Sequence, residues 1–198
     1  RHPREAKQGV AFGGQGIGLG LTEHMFFDPD RIAAIRGMIC SDTVEQRKAA
    51  LAKLEPMQQG DFEQLYEALG GRHVNIRFLD PPLHEFVPTE EKDIELLAQT
   101  QGKSVDDIKA IISSLHEFNP MMGHRGCRLA VTYPEIAEMQ TEAVIKAAIN
   151  VQKAHPDWNI VPAILIHLVG EVKELKFVQN TVTEPPDRVI ASAGVDLS

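Results

Sequence analysis

The chain has 198 residues, of which 43% are hydrophobic and 24% are charged, and its formal net charge is −8. This balance is typical of a folded globular protein and argues against a disordered segment. The negative charge argues against a nucleic-acid-binding surface and against attachment to an anionic membrane. A small anionic substrate stays possible, because a local arginine cluster can bind phosphate on an acidic protein.

The cysteines and the chain start bear on the cellular compartment. Cys40 and Cys127 form neither a Cys-x-x-Cys pair nor a Cys/His ligand spacing, which favours a reduced cytoplasmic environment. The apolar runs in this sequence are all shorter than the roughly 20 residues that cross a bilayer. Residues 1–5 lack the apolar core of a signal peptide and an initiator methionine, so we expect the chain to have been cut from a longer one.

The pattern of apolar and helix-breaking residues predicts alternating helices and strands. In chain order the predicted elements are a helix over 3–12, a strand over 16–21, helices over 28–38, 43–54 and 62–69, a strand over 74–79, helices over 90–100 and 104–115, a short strand over 127–131, a helix over 134–154, a strand over 159–169 and a helix over 170–180. This order predicts an α/β fold with a parallel sheet, either open or closed into a barrel.

The strand over 74–79 carries the first hint of a site. Val74, Ile76 and Phe78 point to one face and suit packing under helices, whereas Asn75 and Arg77 point to the other. Arg77 is close to the carboxyl end of its strand, which is the end where barrel active sites lie.

Several short motifs resemble nucleotide-, phosphate- or zinc-binding patterns but do not match them. The glycines of residues 14–18 resemble a dinucleotide loop, but Leu19 stands where the third glycine would be and the run lies within a strand. Residues 102–104 (Gly-Lys-Ser) join two helices with no preceding strand, so they are interpreted as a helix turn and cap rather than a phosphate loop. The His-Glu pairs at 84–85 and 116–117 lack the second histidine of a zinc motif.

Three longer motifs are more specific. Residues 16–27 read Gly-Ile-Gly-Leu-Gly-Leu-Thr-Glu-His-Met-Phe-Phe, residues 76–86 read Ile-Arg-Phe-Leu-Asp-Pro-Pro-Leu-His-Glu-Phe, and residues 119–129 read Asn-Pro-Met-Met-Gly-His-Arg-Gly-Cys-Arg-Leu. These runs, in this order, resemble three signatures of the pyruvate, phosphate dikinases. The resemblance covers residues 3–180, almost the whole chain.

The resemblance implies a partial (β/α)8 TIM-type barrel over residues 1–180, followed by a divergent tail over 181–198. These dikinases are Mg²⁺-dependent phosphotransferases that interconvert pyruvate and phosphoenolpyruvate (PEP). They use ATP and phosphate through a phosphohistidine on a swivelling domain, so the implied partners include PEP or pyruvate and the phosphohistidine and ATP-binding domains of a parent enzyme.

The resemblance also implies substrate-binding roles for Arg77 and Arg125. PEP carries a carboxylate and a phosphate close together, which guanidinium groups bind through paired donors. We predict no catalytic residue and no metal ligand in this chain, because the family segments that supply the Mg²⁺ ligands and the enolate-protonating cysteine have no match here. The chain alone is therefore predicted to be inactive.

Four residues depart from the family pattern. Gly20 and Leu21 stand where the family has cysteine and a phosphate-binding arginine, and Ala163 and His167 stand where it has glutamate and proline. Losing the arginine favours an alternative from another class, a catalytically dead partial barrel that serves as a binding or assembly module. An unrelated small α/β enzyme is a third alternative. The strand edges of a partial barrel further predict a homo-oligomer.

Overall fold

A computed structural model describes residues 3–193, in which helices alternate with three short strands. The elements are α1 (Pro3–Ala11), β1 (Gly16–Leu21), α2 (Glu23–Phe26), α3 (Pro29–Ile39), α4 (Val44–Leu69), β2 (His73–Arg77), α5 (Glu91–Gln101), α6 (Val105–Ser114), α7 (Cys127–Thr132), α8 (Pro134–Ala154), β3 (Pro162–Leu165) and α9 (Val172–Ala193). A 3₁₀ turn covers Leu83–Glu85.

The strands form one parallel sheet in the order β1-β2-β3. This confirms the predicted α/β class and the parallel arrangement, because each strand returns to the sheet through intervening helices. A register shift between Ile17 and Gly20 brings Leu21 opposite Arg77. At the other side of β2, Arg77 is paired with Leu165 of β3.

The main core lies between one face of the sheet and helices α4 and α8. Val74 and Ile76 of β2 are buried there against residues such as Phe62 and Tyr66 of α4 and Val144 of α8. The predicted alternation is confirmed for Val74 and Ile76, and it leaves Asn75 and Arg77 on the opposite face. Phe78 lies beyond the end of β2 and is buried in a separate cluster with Cys127 and Val178.

The segment predicted as a short strand over 127–131 is helix α7 instead. Gly126, with φ +56°, turns the chain, and its carbonyl oxygen accepts the first helical hydrogen bond from Ala130 N. Cys127 N donates to the carbonyl oxygen of His167, which attaches the start of the helix to the segment after β3. A short apolar run in a sequence does not distinguish a buried strand from a buried helix. Here the hydrogen bonds at Gly126 and Cys127 start a helix.

Two helices extend beyond their predicted ends at residues 54 and 180. Helix α4 continues through Pro56 to Leu69 as one element, and α9 continues through Pro185 and Pro186. Pro56 is exposed, so the carbonyl that loses its partner is solvated, while buried Leu54 and Gln58 on either side hold the helix against its neighbours. The division of the chain at residue 180 stays a prediction, and residues 194–198 of the predicted tail lie outside the described residues.

The turn at residues 102–104 is confirmed as a helix end followed by a cap. Gly102 has the left-handed φ of +65°, and Ser104 forms a reciprocal capping box with Asp107. Across residues 3–193, the helices are all too short or too polar to cross a membrane.

Candidate functional site

Asp80 is the centre of a charged cluster just beyond the carboxyl end of β2. Its side chain is only 1% exposed. Oδ2 accepts hydrogen bonds from Arg125 Nη2 and lies 3.2 Å from Arg77 Nη1, while Oδ1 lies 2.8 Å from His167 Nδ1. One buried carboxylate is therefore shared by three basic side chains from three separate segments.

Strand β2 and helix α2 fix the first of these bases. Arg77 is the last residue of β2, and its carbonyl oxygen accepts a 2.9 Å hydrogen bond from Thr22 Oγ1 at the end of β1. Its Nη2 donates to Glu23 Oε1 at the start of α2. Arg77 is thus held between two acidic side chains, Glu23 and Asp80, at the edge of the sheet.

The loop before α7 carries the second base, Arg125. Gly126 N donates to the carbonyl oxygen of Asp80 at 3.1 Å, which brings the loop directly onto the turn after β2. A Cβ at Gly126 would lie 2.6 Å from the carbonyl oxygen of His167 and 3.0 Å from Asp80 Oδ1. Only glycine allows this close approach together with its positive φ.

Charge pairing sets the protonation states in the cluster. Burial alone would raise the pKa of Asp80, but the hydrogen bonds from Arg125 and His167 and the charge of Arg77 outweigh it and lower that pKa. The hydrogen bond to Asp80 raises the pKa of Arg125. Asp80 is therefore ionised and both guanidinium groups are charged at neutral pH.

Three polar atoms of this cluster are buried without a hydrogen-bond partner: Arg77 Nε, Arg125 Nε and Glu23 Oε2. Buried donors are normally paired, so two unpaired guanidinium N–H groups at one edge of the sheet are notable. Anion oxygens are the acceptors that guanidinium N–H groups suit best.

A buried hydrogen-bond network centred on the Gln140 side chain holds the carboxyl ends of β1 and β2 in place. Gln140 of α8 accepts a 2.8 Å hydrogen bond from Leu79 N at its Oε1. Its Nε2 donates to Thr22 Oγ1 at 3.3 Å and to Gln58 Oε1 at 3.1 Å. Gln58 belongs to α4, and Thr22 donates to the carbonyl oxygen of Arg77. Gln140 therefore links helices α4 and α8 to the backbone that carries the charged cluster.

The two residues that the sequence singled out, Arg77 and Arg125, are brought together on Asp80. Sequence reasoning missed Asp80 and Glu23 as parts of the site, and it noted His167 only as a departure from a pattern. The position of Asp80 directly after the strand that holds Arg77 was the available signal.

The residues described here do not include a group of three or more His, Cys, Asp or Glu side chains placed to hold a metal ion. Asp80 and Glu23 are both engaged by arginine, which competes with a cation for their oxygens. These residues therefore do not fit a Mg²⁺ site.

Comparison with known protein families gives a match over residues 1–195 to the model described as PEP-utilising enzyme, PEP-binding domain. The chain belongs to this family. Three curated relatives are pyruvate, phosphate dikinases: that of Clostridium symbiosum is 55% identical over 195 residues, that of Rhizobium meliloti 46% over 196, and the chloroplastic enzyme 1 of Arabidopsis thaliana 43% over 198.

These alignments cover 98–99% of this chain but only 20–22% of each relative. The chain thus spans about a fifth of the length of the curated relatives it matches. The resemblance to pyruvate, phosphate dikinases inferred from the three motifs is confirmed. This segment matches the PEP-binding domain of the PEP-utilising enzymes.

Proposed function

We propose that this chain supplies part of the PEP/pyruvate site of a pyruvate, phosphate dikinase. In that reaction ATP, pyruvate and phosphate give AMP, PEP and diphosphate. The observation that carries the proposal is the convergence of Arg77 and Arg125 on Asp80, with an unpaired Nε–H on each arginine, at the carboxyl edge of a parallel sheet.

The architecture supports a partial (β/α)8 barrel as the setting for this site. The three strands are parallel, and helices α4 and α8 cover one sheet face. The opposite face carries Arg77 with its register partners Leu21 and Leu165, which are only partly buried. In a closed barrel this face would point inward and the strand carboxyl ends would form the active-site rim.

The affinity of the isolated chain for PEP should be low. Asp80 and Glu23 already neutralise much of the arginine charge, so an incoming anion must compete with them. Leu21 adds no cation beside Arg77. We expect a dissociation constant in the millimolar range or weaker, which corresponds to roughly −4 kcal/mol.

We further propose that residues 1–198 alone do not interconvert pyruvate and PEP. In the parent enzyme, which we place in the cytoplasm, the phosphoryl group would come from a phosphohistidine domain served by an ATP-binding domain. Mg²⁺ would then be held by ligands outside this chain. A coupled assay of the purified chain with pyruvate, ATP, phosphate and Mg²⁺ tests this, and PEP formed above the no-protein control would overturn it.

A second candidate function is a catalytically dead partial barrel that acts as a binding or assembly module. Leu21, in the place of a phosphate-binding arginine of the resembled family, is the observation that favours it. The two functions differ in one measurement on the longer protein that carries this segment. Dikinase turnover supports the first, whereas PEP binding without turnover supports the second.

Calorimetric titration of PEP into the chain tests the proposed binding role. Arg77→Ala and Arg125→Ala should each abolish detectable binding. Arg188→Ala, which removes the same charge from a side chain that is 69% exposed on α9, should leave the affinity unchanged. Equal affinities for the wild type and for Arg77→Ala would contradict the proposal.

We also propose that the isolated chain self-associates. Both β1 and β3 are edges of the described sheet, and the apolar side chains Leu19 and Val161 beside them are 44% and 55% exposed. Unpaired strand edges next to apolar surface favour pairing with a second copy. Sedimentation velocity at micromolar concentration should show a dimer or a larger species, and a monomer at every concentration would count against it.

A further inference from the structure

We propose that His167 is a third cationic contact of the anion site, and that it binds the anion only when its imidazole ring is protonated. The inference rests on the proposed anion-binding role of Arg77 and Arg125. It assigns to the site a residue whose contribution depends on pH, alongside two arginines whose charge is constant.

The backbone and the ring of His167 are both held in place. Its Nδ1 lies 2.8 Å from Asp80 Oδ1, and its carbonyl oxygen accepts a 2.8 Å hydrogen bond from Cys127 N. Gly126 packs against the same carbonyl oxygen, so closely that a Cβ there would lie 2.6 Å from it. The ring is therefore fixed to the same carboxylate that Arg77 and Arg125 contact.

The second ring nitrogen is available to a ligand. Because the ionised Asp80 carboxylate can only accept, Nδ1 carries the proton of that hydrogen bond. The His167 side chain is 44% exposed, and within residues 3–193 its Nε2 has no hydrogen-bond partner. In the neutral ring Nε2 is an acceptor, which an anion does not bind. In the protonated ring it becomes a charged donor.

The charges around the ring determine the direction of the pH effect. Within the described residues, the titratable and charged groups that interact around this cluster include Arg77 and Asp80 at the end of β2, Glu23 of α2, Arg125 in the loop, Cys127 and Arg128 of α7 and Glu174 of α9. The two arginine charges are matched by the two carboxylates that pair with them, Asp80 and Glu23. Glu174 Oε2 already accepts from Gly170 N and Glu171 N.

A dianion added to this balanced cluster favours the protonated ring. Binding should therefore take up a proton, and the affinity should be higher below the ordinary histidine pKa of about 6.5 than above it. Because the ring is partly exposed, the gain should be modest, about three- to fivefold in the dissociation constant.

Sulfate is the suitable probe, because it stays a dianion across this pH range, whereas phosphate and PEP themselves titrate. We would titrate sulfate calorimetrically at about pH 5.5 and about pH 8, on either side of the histidine pKa. The wild type should bind about three- to fivefold more tightly at the lower pH. His167→Asn keeps an amide donor for Asp80 but cannot become charged, so it should bind equally at both pH values.

Two further variants separate the possible failures. His73→Asn removes an exposed histidine at the amino end of β2, and it should retain the pH dependence. Arg77→Ala should lose binding at both pH values. If Arg77→Ala still binds sulfate, the proposed anion site itself is wrong. If Arg77→Ala loses binding but His167→Asn keeps the full pH dependence, only the role of His167 is overturned.

A direct measurement does not depend on the folding of a variant. The pKa of His167 can be followed by NMR of its ring nitrogens in the wild type, with and without saturating sulfate. By linkage, the pKa should rise on binding by the logarithm of the affinity ratio, about half a unit for a threefold change. An unchanged pKa with sulfate bound would overturn the inference.

Discussion

Leu21 and Arg77 are register partners at the carboxyl ends of the neighbouring parallel strands β1 and β2. Because partners in a parallel pair point to the same sheet face, a partly buried leucine lies beside the guanidinium that Asp80 and Glu23 hold. The register shift between Ile17 and Gly20 is what brings residue 21 onto this face.

Replacing Leu21 with arginine should therefore strengthen anion binding. A new guanidinium beside Arg77 adds a charge-assisted donor, and we expect the affinity of the chain for PEP to rise by about tenfold, or about 1.4 kcal/mol. Leu96→Arg makes the same substitution on an α5 side chain that is 62% exposed, and it should leave the affinity unchanged. Calorimetric titration of both variants checks this. An equal gain in both would show a general charge effect.

Replacing Asp80 with asparagine should destabilise the fold at neutral pH and change its acid sensitivity. The carboxylate is buried against two arginines, and breaking such a pair typically costs about 3 kcal/mol or more. The pKa of Asp80 is lowered in the folded state, so its contribution is complete above the unfolded pKa of about 3.9 and disappears as the pH falls through the lower folded value.

Denaturant unfolding from about pH 7 down to about pH 3 measures this effect. The difference between the wild type and Asp80→Asn should be largest at neutral pH and should shrink below about pH 4. Asp157→Asn, at an exposed position, should show almost no difference at either end. A constant difference between the wild type and Asp80→Asn across this range would contradict the assignment.

Gln140→Leu should destabilise the chain by about 1–3 kcal/mol, because it leaves Leu79 N buried without an acceptor and removes the link to Gln58 and Thr22. Gln99→Leu, on the exposed side of α5, is the matched control and should change the free energy of unfolding little. Thermal or urea unfolding of both variants gives the comparison. A Gln140→Leu variant as stable as the wild type would show that the network is dispensable.

Tyr66→Phe should be neutral or slightly stabilising. The Tyr66 hydroxyl is buried without a hydrogen-bond partner, and burial raises the pKa of the phenol. Removing an unsatisfied hydroxyl while keeping the ring in the core therefore relieves a desolvation cost of about 1 kcal/mol. The midpoint of urea unfolding measures the change. A marked loss of stability would mean that the hydroxyl has a partner, such as a buried water.

The sequence was informative where short-range patterns decide the structure. Strand β1 and helix α8 have the predicted bounds, and the burial of Val74 and Ile76 follows directly from strand alternation. The sequence did not predict the structure where contacts between distant segments determine it. Pro56 lies within α4 because the packed turns on either side outweigh one lost hydrogen bond.

The same distinction applies to the site. Arg77 and Arg125 could be named from motifs, but the cluster depends on how three distant segments meet. Asp80 contacts Arg125 because Gly126 N donates to the carbonyl oxygen of Asp80 and brings the loop close. His167 contacts Asp80 because its carbonyl oxygen accepts from Cys127 N, which holds the segment after β3 beside the same loop. The one-residue shift in β1 that brings Leu21 beside Arg77 also has no signal in the local pattern.

The most direct test of the account follows the unpaired Nε–H groups of Arg77 and Arg125 by ¹H–¹⁵N NMR while PEP is added. We predict that both side-chain signals move together, with one shared dissociation constant in the millimolar range, about −4 kcal/mol. The Nε–H of the exposed Arg188 should not move. PEP-dependent shifts at other arginines, with those of Arg77 and Arg125 unchanged, would contradict the central claim that this cluster is the anion site.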